Sequence, residues 1–177
     1  MPPWLDAGRL RGAELDLRAA QRLHQAASHP ALLRLLALCS RAADGPLWGA
    51  VLLSLAVWAP GGGRHAVLMA LLGALNLGLY YGIKRGTRRA RPFERCDSIH
   101  ACLKVPDAFS FPSGHTLHAF AFAVLLSGFF PSLAPGLWSF AVLVALSRVV
   151  LGLHFPSDVV AGALLGMATA SLVLLAA

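Results

Sequence analysis

The pattern of apolar and polar positions divides the chain into an amphipathic start and a series of longer apolar runs. Between residues 14 and 24, Leu15, Ala19 and Leu23 recur every four residues, while Arg18 and Arg22 fall on other faces. This spacing is typical of an amphipathic helix. The N-terminal part of the chain is therefore predicted to lie along a surface rather than to be buried on all sides.

A short apolar run at residues 31–38 continues this segment and is interrupted by Arg34. It is too short to cross a bilayer core, which requires about 20 residues. Two interpretations stay open for residues 1–45: an interfacial helix, or a helix packed on the outside of a bundle. A third alternative is that residues 28–45 insert as a sixth spanning helix, which would move only the N-terminus to the other side.

Five apolar runs follow, and each reaches or approaches membrane-spanning length together with its flanks. They lie at residues 46–59, 65–83, 114–130, 137–153 and 158–177, and prolines and glycines punctuate the connections. In the last run, Gly162 and Gly166 form a face of small residues that allows close helix contact in lipid. The pattern predicts an all-α integral membrane helix bundle at 46–177, with about five spanning helices, after an N-terminal amphipathic helix within 1–45.

Composition supports a membrane protein, since 57% of the 177 residues are hydrophobic and only 13% are charged. The net charge of +7 favours anionic lipids as partners over nucleic acid. Three cysteines do not make a disulfide framework. Cys96, His100 and Cys102 are close in sequence, but no second ligand pair follows at zinc-site spacing, so they are interpreted as loop residues.

Counting membrane crossings places several helix ends on one side of the bilayer. The second run ends near Lys84, the third begins near Ser113, the fourth ends near Arg148 and the fifth begins near Asp158. Polar residues from three separate segments are therefore predicted to meet at one membrane surface, called the motif face below.

Three cations lie at this face: Lys84, Arg91 and Arg148. An unpaired charge at the end of an apolar helix is costly, so an anion is the natural partner, and phosphate suits the planar donors of arginine. Ser113 and Gly114 precede a helix, where free backbone N–H groups and the helix dipole also favour an anion.

Two histidines complete the candidate chemistry. His115 lies in the first turn of the third run, and His154 precedes Asp158 by four residues. A carboxylate that holds one imidazole nitrogen leaves the other to act as nucleophile or base. These groups together are suited to phosphoryl transfer onto nitrogen. His118, one turn after His115, is compatible both with the pocket and with the headgroup layer.

The remaining basic residues near the first cluster have a simpler interpretation. Arg85, Arg88 and Arg89 are predicted to be interface anchors, whose aliphatic stems lie along apolar surface while their charges reach water.

The ordered pattern Lys84-x6-Arg91-Pro92, then Pro112-Ser113-Gly114-His115, then Ser147-Arg148-x5-His154-x3-Asp158 resembles the type-2 phosphatidic acid phosphatase superfamily. That superfamily also includes vanadium haloperoxidases and bacterial acid phosphatases. The resemblance covers residues 46–177, and the complete ordered set is far more specific than any one motif.

The resemblance implies a role for each motif residue. His154 would be the nucleophile, Asp158 would orient it, and His115 would act first as general acid and then as base. The phosphoryl oxygens would be held by Lys84, Arg91, Arg148, Ser113 and the Gly114 backbone N–H. No metal and no other cofactor is implied. Membrane members commonly have six spanning helices, whereas five are predicted here.

The predicted function is a membrane phosphatase for lipid phosphate or diphosphate monoesters, acting through a phosphohistidine. Candidate substrates are phosphatidic acid, phosphatidylglycerol phosphate and polyprenyl diphosphates. The alternatives are a vanadate-dependent haloperoxidase, which the apolar runs disfavour, and a catalytically silent lipid-binding protein, which the intact His115, His154 and Asp158 disfavour.

The distribution of basic residues predicts the orientation. Of fifteen Lys and Arg residues, only Arg64 falls on the face opposite the motifs. After the three phosphate-binding cations are set aside, eleven remain on the motif face: Arg9, Arg11, Arg18, Arg22, Arg34, Arg41, Arg85, Arg88, Arg89, Arg95 and Lys104. Short loops rich in Lys and Arg stay in the cytoplasm, so the active site is expected to face the cytoplasm from a bacterial inner membrane.

Overall fold

The computed structural model describes residues 3–59, 61–105 and 107–177, with side chains from Arg11 onward. Its helices are α1 (Pro3–His24), α2 (Pro30–Ala42), α3 (Gly45–Trp58), α4 (Gly62–Thr87), α5 (Pro92–Arg95), α6 (Gly114–Phe129), α7 (Ala134–Val150) and α8 (Pro156–Ala176). Short 3₁₀ turns lie at Gln25–Ser28 and Pro131–Leu133. The described residues contain no strand. The predicted all-α membrane helix bundle is confirmed.

Three segments are long and apolar enough to cross a membrane: Gly62–Arg95, Pro131–Val150 and Pro156–Ala176. Helices α3 and α6 are equally apolar but shorter, with 14 and 16 residues. At 1.5 Å per residue they are about 21 and 24 Å long, against a bilayer core of about 30 Å. Flanking residues or local thinning of the bilayer must make up the difference.

The predicted end of the fourth spanning helix at Leu153 is wrong by three residues, because α7 stops at Val150. Gly152 takes a positive φ of 75°, which turns the chain out of the helix. The backbone N–H groups of Leu153 and His154 then both donate to the carbonyl of Arg148 (3.1 and 3.0 Å). The five residues 151–155 thus form a loop held against the end of α7.

Helices α6 and α8 make the closest contact in the bundle. A Cβ added at Gly162 would lie 2.6 Å from the carbonyl oxygen of Ser113, and one at Gly166 would overlap the carbonyl of Leu117. The prediction that Gly162 and Gly166 allow close helix contact is confirmed. This contact fixes the start of α8 beside the start of α6, where the second and third motifs lie.

The N-terminal helices pack on the outside of the bundle at the motif face. His24, at the end of α1, bonds through Nδ1 to the carbonyl of Val150 (2.8 Å), and Arg148 donates to the Ser40 hydroxyl near the end of α2 (2.5 Å). The end of α1 and the end of α2 therefore both lie against the C-terminal end of α7. These contacts show that the segment packs on the bundle, and its location at the membrane interface stays a prediction.

Candidate active site

A cavity of about 290 Å³ opens at the motif face and collects residues from all three motifs. Its lining includes Arg91, Gly114, His115, Arg148 and His154. These residues come from the α4–α6 connection, the start of α6, the end of α7 and the loop before α8. The predicted convergence of the three clusters at one surface is therefore seen in the fold.

His154 is buried, with 2% of its surface exposed. Its Nδ1 lies 3.6 Å from Asp158 Oδ2, slightly beyond hydrogen-bond length, and has no other partner in the described structure. Its Nε2 lies 3.5 Å from Nη1 of Arg91. Burial is the main cause that lowers the pKa of His154, to about 3, and nearby arginine charges add to it. The imidazole is therefore neutral at neutral pH, with Nε2 toward Arg91.

Asp158 is held in place by the way α8 begins. Pro156 opens the helix, and Asp158 in its first turn accepts the backbone N–H of Phe155 (2.8 Å), as acidic residues in a first helical turn often do. The same carboxylate accepts the hydroxyl of buried Ser110. With its other oxygen bonded to Arg89, the carboxylate is fixed behind His154 rather than free in the cavity.

The interpretation of Arg89 as an interface anchor is wrong. Its Nη1 lies 2.6 Å from Asp158 Oδ1 and its Nη2 lies 2.6 Å from Asp16 Oδ2 on α1. The guanidinium also stacks on Phe155, 4.2 Å from the ring centroid. A chain of charges therefore runs from α1 through Arg89 to the carboxylate behind His154.

Two of the three predicted phosphate-binding cations contact a carboxylate from the loop before the second motif. Asp107 Oδ1 accepts from Nζ of Lys84 (2.5 Å) and from Nη2 of Arg91 (3.0 Å), and Tyr80 donates its hydroxyl to Oδ2. Burial raises the pKa of Asp107, but hydrogen bonds from Lys84 and Tyr80 outweigh it and hold the pKa at about 2. Asp107 is thus a charged member of this group.

Arg148 is the third cation, 3% exposed. It donates through Nη1 to Ser40, and its Nε has no partner in the described structure. Among the described residues, no carboxylate lies within ion-pair distance of it. Of the three cations, Arg148 therefore has the fewest hydrogen bonds to other described residues, and it is the least committed of the three.

His115 lines the cavity and pairs with a residue from another helix. Its Nε2 lies 2.8 Å from Oδ1 of Asp44, the residue that precedes α3. Nδ1 is therefore the ring nitrogen that does not face Asp44. His118, which also lines the cavity, bonds through Nδ1 to the carbonyl of Gly114 (3.0 Å).

The structure places Ser113 differently from Gly114. Ser113 is fully buried, its hydroxyl lies 2.9 Å from that of Thr116, and its backbone N–H donates to the carbonyl of Asp158 (3.0 Å). Gly114 lines the cavity, whereas Ser113 lies behind it. Ser113 therefore joins α6 to α8, and the cavity surface at this point is that of Gly114.

Cys96, His100 and Cys102 form no metal cluster within the described ranges. Two of them instead make hydrogen bonds with α1. Cys96 Sγ accepts from the side-chain amide of Gln21 (3.0 Å), and the backbone N–H of His100 donates to Nε2 of His24 (3.2 Å). The interpretation of these residues as loop residues agrees with these contacts.

Sequence reasoning missed the carboxylates around the site. The chain has eight Asp and Glu residues, and three of those outside the motifs contact site groups: Asp16, Asp44 and Asp107. The small number of acidic residues could have indicated these contacts, because an acidic residue in an apolar, basic chain usually has a charged partner.

Comparisons with known proteins agree with this geometry. Residues 62–177, about two thirds of the chain, match the PAP2 superfamily. The crystal structure of LpxE from Aquifex aeolicus superposes with a TM-score of 0.77 at 28% identity, over 87% of this chain and 92% of that one. A PAP2-type phosphatidylglycerolphosphate phosphatase from Bacillus subtilis gives a TM-score of 0.70 at 26% identity, over 89% and 83%.

A relative by sequence is the decaprenylphosphoryl-5-phosphoribose phosphatase of Mycobacterium tuberculosis, which is 39% identical over 94 residues. These residues are 51% of this chain, and the match spans only about half (49%) of the length of that relative. From the matched residues, the shared fold and the ordered motifs around one cavity, this chain belongs to the PAP2 superfamily.

Proposed function

We propose that this protein is a membrane phosphatase that hydrolyses lipid phosphate or diphosphate monoesters through a phosphohistidine. The observation that carries the proposal is the setting of His154, a buried neutral imidazole with the Asp158 carboxylate near one nitrogen and the Arg91 guanidinium near the other. A neutral imidazole is a nucleophile, and the cations stabilise negative charge on the group that it attacks.

In the first step, Nε2 of His154 attacks phosphorus while Asp158 stabilises the positive charge that develops on the ring. Lys84, Arg91 and Arg148 hold the phosphoryl oxygens, with the Gly114 backbone beside them. The bond from phosphorus to the lipid oxygen breaks, and His115 gives its proton to the leaving alkoxide.

In the second step, His115 takes a proton from water as the water attacks phosphorus. The bond between phosphorus and Nε2 breaks, inorganic phosphate leaves, and neutral His154 is restored. The residues supply the nucleophile, the acid and base, and the charge stabilisation for both steps. No cofactor is proposed for either step.

The walls of the cavity favour a lipid substrate. Beyond the charged end, the cavity is lined by Trp48 of α3 and by Leu77 and Tyr81 of α4, which suit an acyl or prenyl chain. The names of the similar proteins from M. tuberculosis and B. subtilis specify lipid phosphates. The candidate substrates are therefore phosphatidic acid, phosphatidylglycerol phosphate and polyprenyl phosphates or diphosphates.

Phosphate release from a panel of pure lipids in detergent tests the proposal. We expect turnover of at least one phosphate monoester or diphosphate, persistence of that turnover in EDTA, and inhibition by vanadate, which mimics pentacoordinate phosphorus. Turnover that EDTA abolishes and Mg²⁺ restores would contradict the proposed metal-independent chemistry. The absence of phosphate release from every lipid would contradict the function itself.

The proposed location is a bacterial inner membrane, with the active site facing the cytoplasm. Arg89 is paired with two carboxylates, so it is left out of the count of basic residues that indicate orientation. Ten of the eleven basic residues counted on the motif face remain. The single Arg64 still stands alone on the opposite face, so the bias that retains basic loops in the cytoplasm is unchanged.

A further inference from the structure

The phosphate-binding end of the cavity already contains an anionic group supplied by the protein. One oxygen of Asp107, Oδ1, accepts from Nζ of Lys84 (2.5 Å), Nη2 of Arg91 (3.0 Å) and the backbone N–H of Phe109 (3.1 Å). Charged and backbone donors of this kind are those that hold a phosphoryl oxygen. Asp107 lines the same cavity as His154.

The surrounding loop holds this carboxylate against both cations. Lys84 also donates to the carbonyl of Phe109 (2.6 Å), and Nε of Arg91 donates to the carbonyl of Asp107 (3.2 Å). Both cations are almost fully buried, so they cannot turn to solvent for other partners. A phosphoryl group that uses Lys84 and Arg91 must therefore displace the carboxylate or share the donors with it.

This competition matters because the bilayer itself is full of phosphate groups. Phosphodiester lipids such as phosphatidylglycerol carry a single negative charge, whereas a phosphate monoester carries about −1.5 to −2 near pH 7. A diester brings no more charge than Asp107 already supplies. A monoester or diphosphate brings additional charge and can form stronger bonds with Lys84, Arg91 and the less committed Arg148.

We propose that Asp107 is a specificity-determining residue, which keeps phosphodiester lipids out of the cavity and admits phosphate monoesters and diphosphates. Selectivity then comes from a repulsive element placed against the abundant wrong ligand as well as from attraction to the right one. This inference rests on the proposed function, because it assigns the substrate class of that same site.

The variant Asp107→Asn tests the inference, with Asp97→Asn as the matched control. Asp97 is an exposed residue of the same loop, so the control makes the same charge change away from the cavity. Phosphate release from phosphatidic acid is measured in detergent micelles with increasing phosphatidylglycerol. We expect phosphatidylglycerol to inhibit Asp107→Asn competitively, with an inhibition constant about tenfold lower than for the wild type or the control.

Equal inhibition of all three proteins by phosphatidylglycerol would overturn the inference. A fall in kcat for Asp107→Asn with unchanged inhibition would show that the carboxylate only positions Lys84 and Arg91, and would overturn it equally. If Asp107→Asn does not fold, Tyr80→Phe removes one hydrogen bond to the carboxylate, and a smaller increase in inhibition is expected.

Equilibrium binding of labelled phosphatidylglycerol to the same proteins in detergent separates this inference from the proposed function. Binding requires no turnover, so tighter binding to Asp107→Asn would support the inference even if the wild type released no phosphate. Equal binding with normal phosphate release by the wild type would overturn the inference and leave the proposed function in place.

Discussion

Acidic residues organise the cations and histidines of this site. Asp158 lies behind His154, Asp44 pairs with His115, Asp107 joins Lys84 to Arg91, and Asp16 reaches the group from α1 through Arg89. A buried cation without a partner is strongly unfavourable, so the carboxylates hold a basic cluster together within an apolar protein. They also decide which donors remain for a substrate.

The first prediction concerns the two histidines. His154→Ala should abolish phosphate release, since loss of a nucleophile commonly lowers kcat by several orders of magnitude. His115→Ala should release phosphate slowly from ordinary lipids and should accumulate a phosphoenzyme with a substrate that has a good leaving group. The measurements are phosphate release and acid-labile labelling from a ³²P substrate. Near-native turnover by His154→Ala would contradict the assignment of the nucleophile.

The second prediction concerns Arg89 as a positioning residue. It contacts Asp158 on the side away from the cavity, so Arg89→Gln should lower kcat about tenfold or more while KM changes little. Arg89→Lys should restore part of the activity, and Asp16→Asn should give a smaller loss. Arg85→Gln, an exposed neighbour on α4, is the matched control. A rise in KM with kcat intact would instead show that Arg89 binds substrate.

At the scale of elements, the contact between α6 and α8 sets the geometry of the site. The start of α6 carries Gly114 and His115, and the start of α8 carries Asp158. The two helices approach closely because Gly162 and Gly166 have no side chain to separate them. The distance between the second and third motifs thus depends on residues that have no chemical role.

The third prediction tests this contact. Gly166→Ala places a methyl group into the backbone of α6, which should destabilise the protein by about 1–3 kcal/mol and lower kcat as Asp158 moves. Gly78→Ala in α4 is the control, because nothing lies within 4 Å of the added Cβ. Thermal unfolding in detergent, followed by circular dichroism, compares the two. Equal melting temperatures for both variants would contradict the role of the α6–α8 contact.

At the scale of the whole molecule, the N-terminal helices and the connection between α4 and α6 cover the motif face together. Ala20 of α1 packs with Ile99 and Phe155 in a small apolar cluster. Gln21 and His24 bond to the connection. The N-terminal segment, the first basic cluster and the loop cysteines therefore share one side of the membrane, and a single labelling experiment reports on all of them.

The fourth prediction is the orientation of that side. In intact cells, a membrane-impermeant maleimide should leave Cys96 and Cys102 unlabelled until the cells are lysed. After lysis both cysteines should be labelled, because Cys102 is exposed and Cys96 is half-buried. A Cys39→Ser background removes the third cysteine.

An Arg64→Cys variant supplies the positive control for this experiment, since it should be labelled in intact cells from the opposite face. Labelling of Cys96 or Cys102 without lysis would place the motif face outside the cytoplasm and contradict the proposed orientation.

The sequence by itself determined the class of this protein, its spanning runs and the motif residues. Apolar runs of membrane length have few alternatives to helices, because lipid offers no partner for backbone N–H and C=O groups. The number of crossings then places Lys84, His115 and His154 at one face. The glycine spacing in α8 predicted a close helix contact, and the structure shows that α6 is the partner. These properties depend on local composition and on simple counting.

Only the tertiary structure decided the partners of those residues. Asp107 and Lys84 are 23 positions apart, Arg89 and Asp158 are 69 apart, and His115 and Asp44 are 71 apart. No local period relates such positions, because each pairing depends on how loops fold over helix ends. For the same reason Arg89 resembled a surface anchor in the sequence, although the fold pairs its charge with two carboxylates. Pairing of charges across the site is a property of the packed chain.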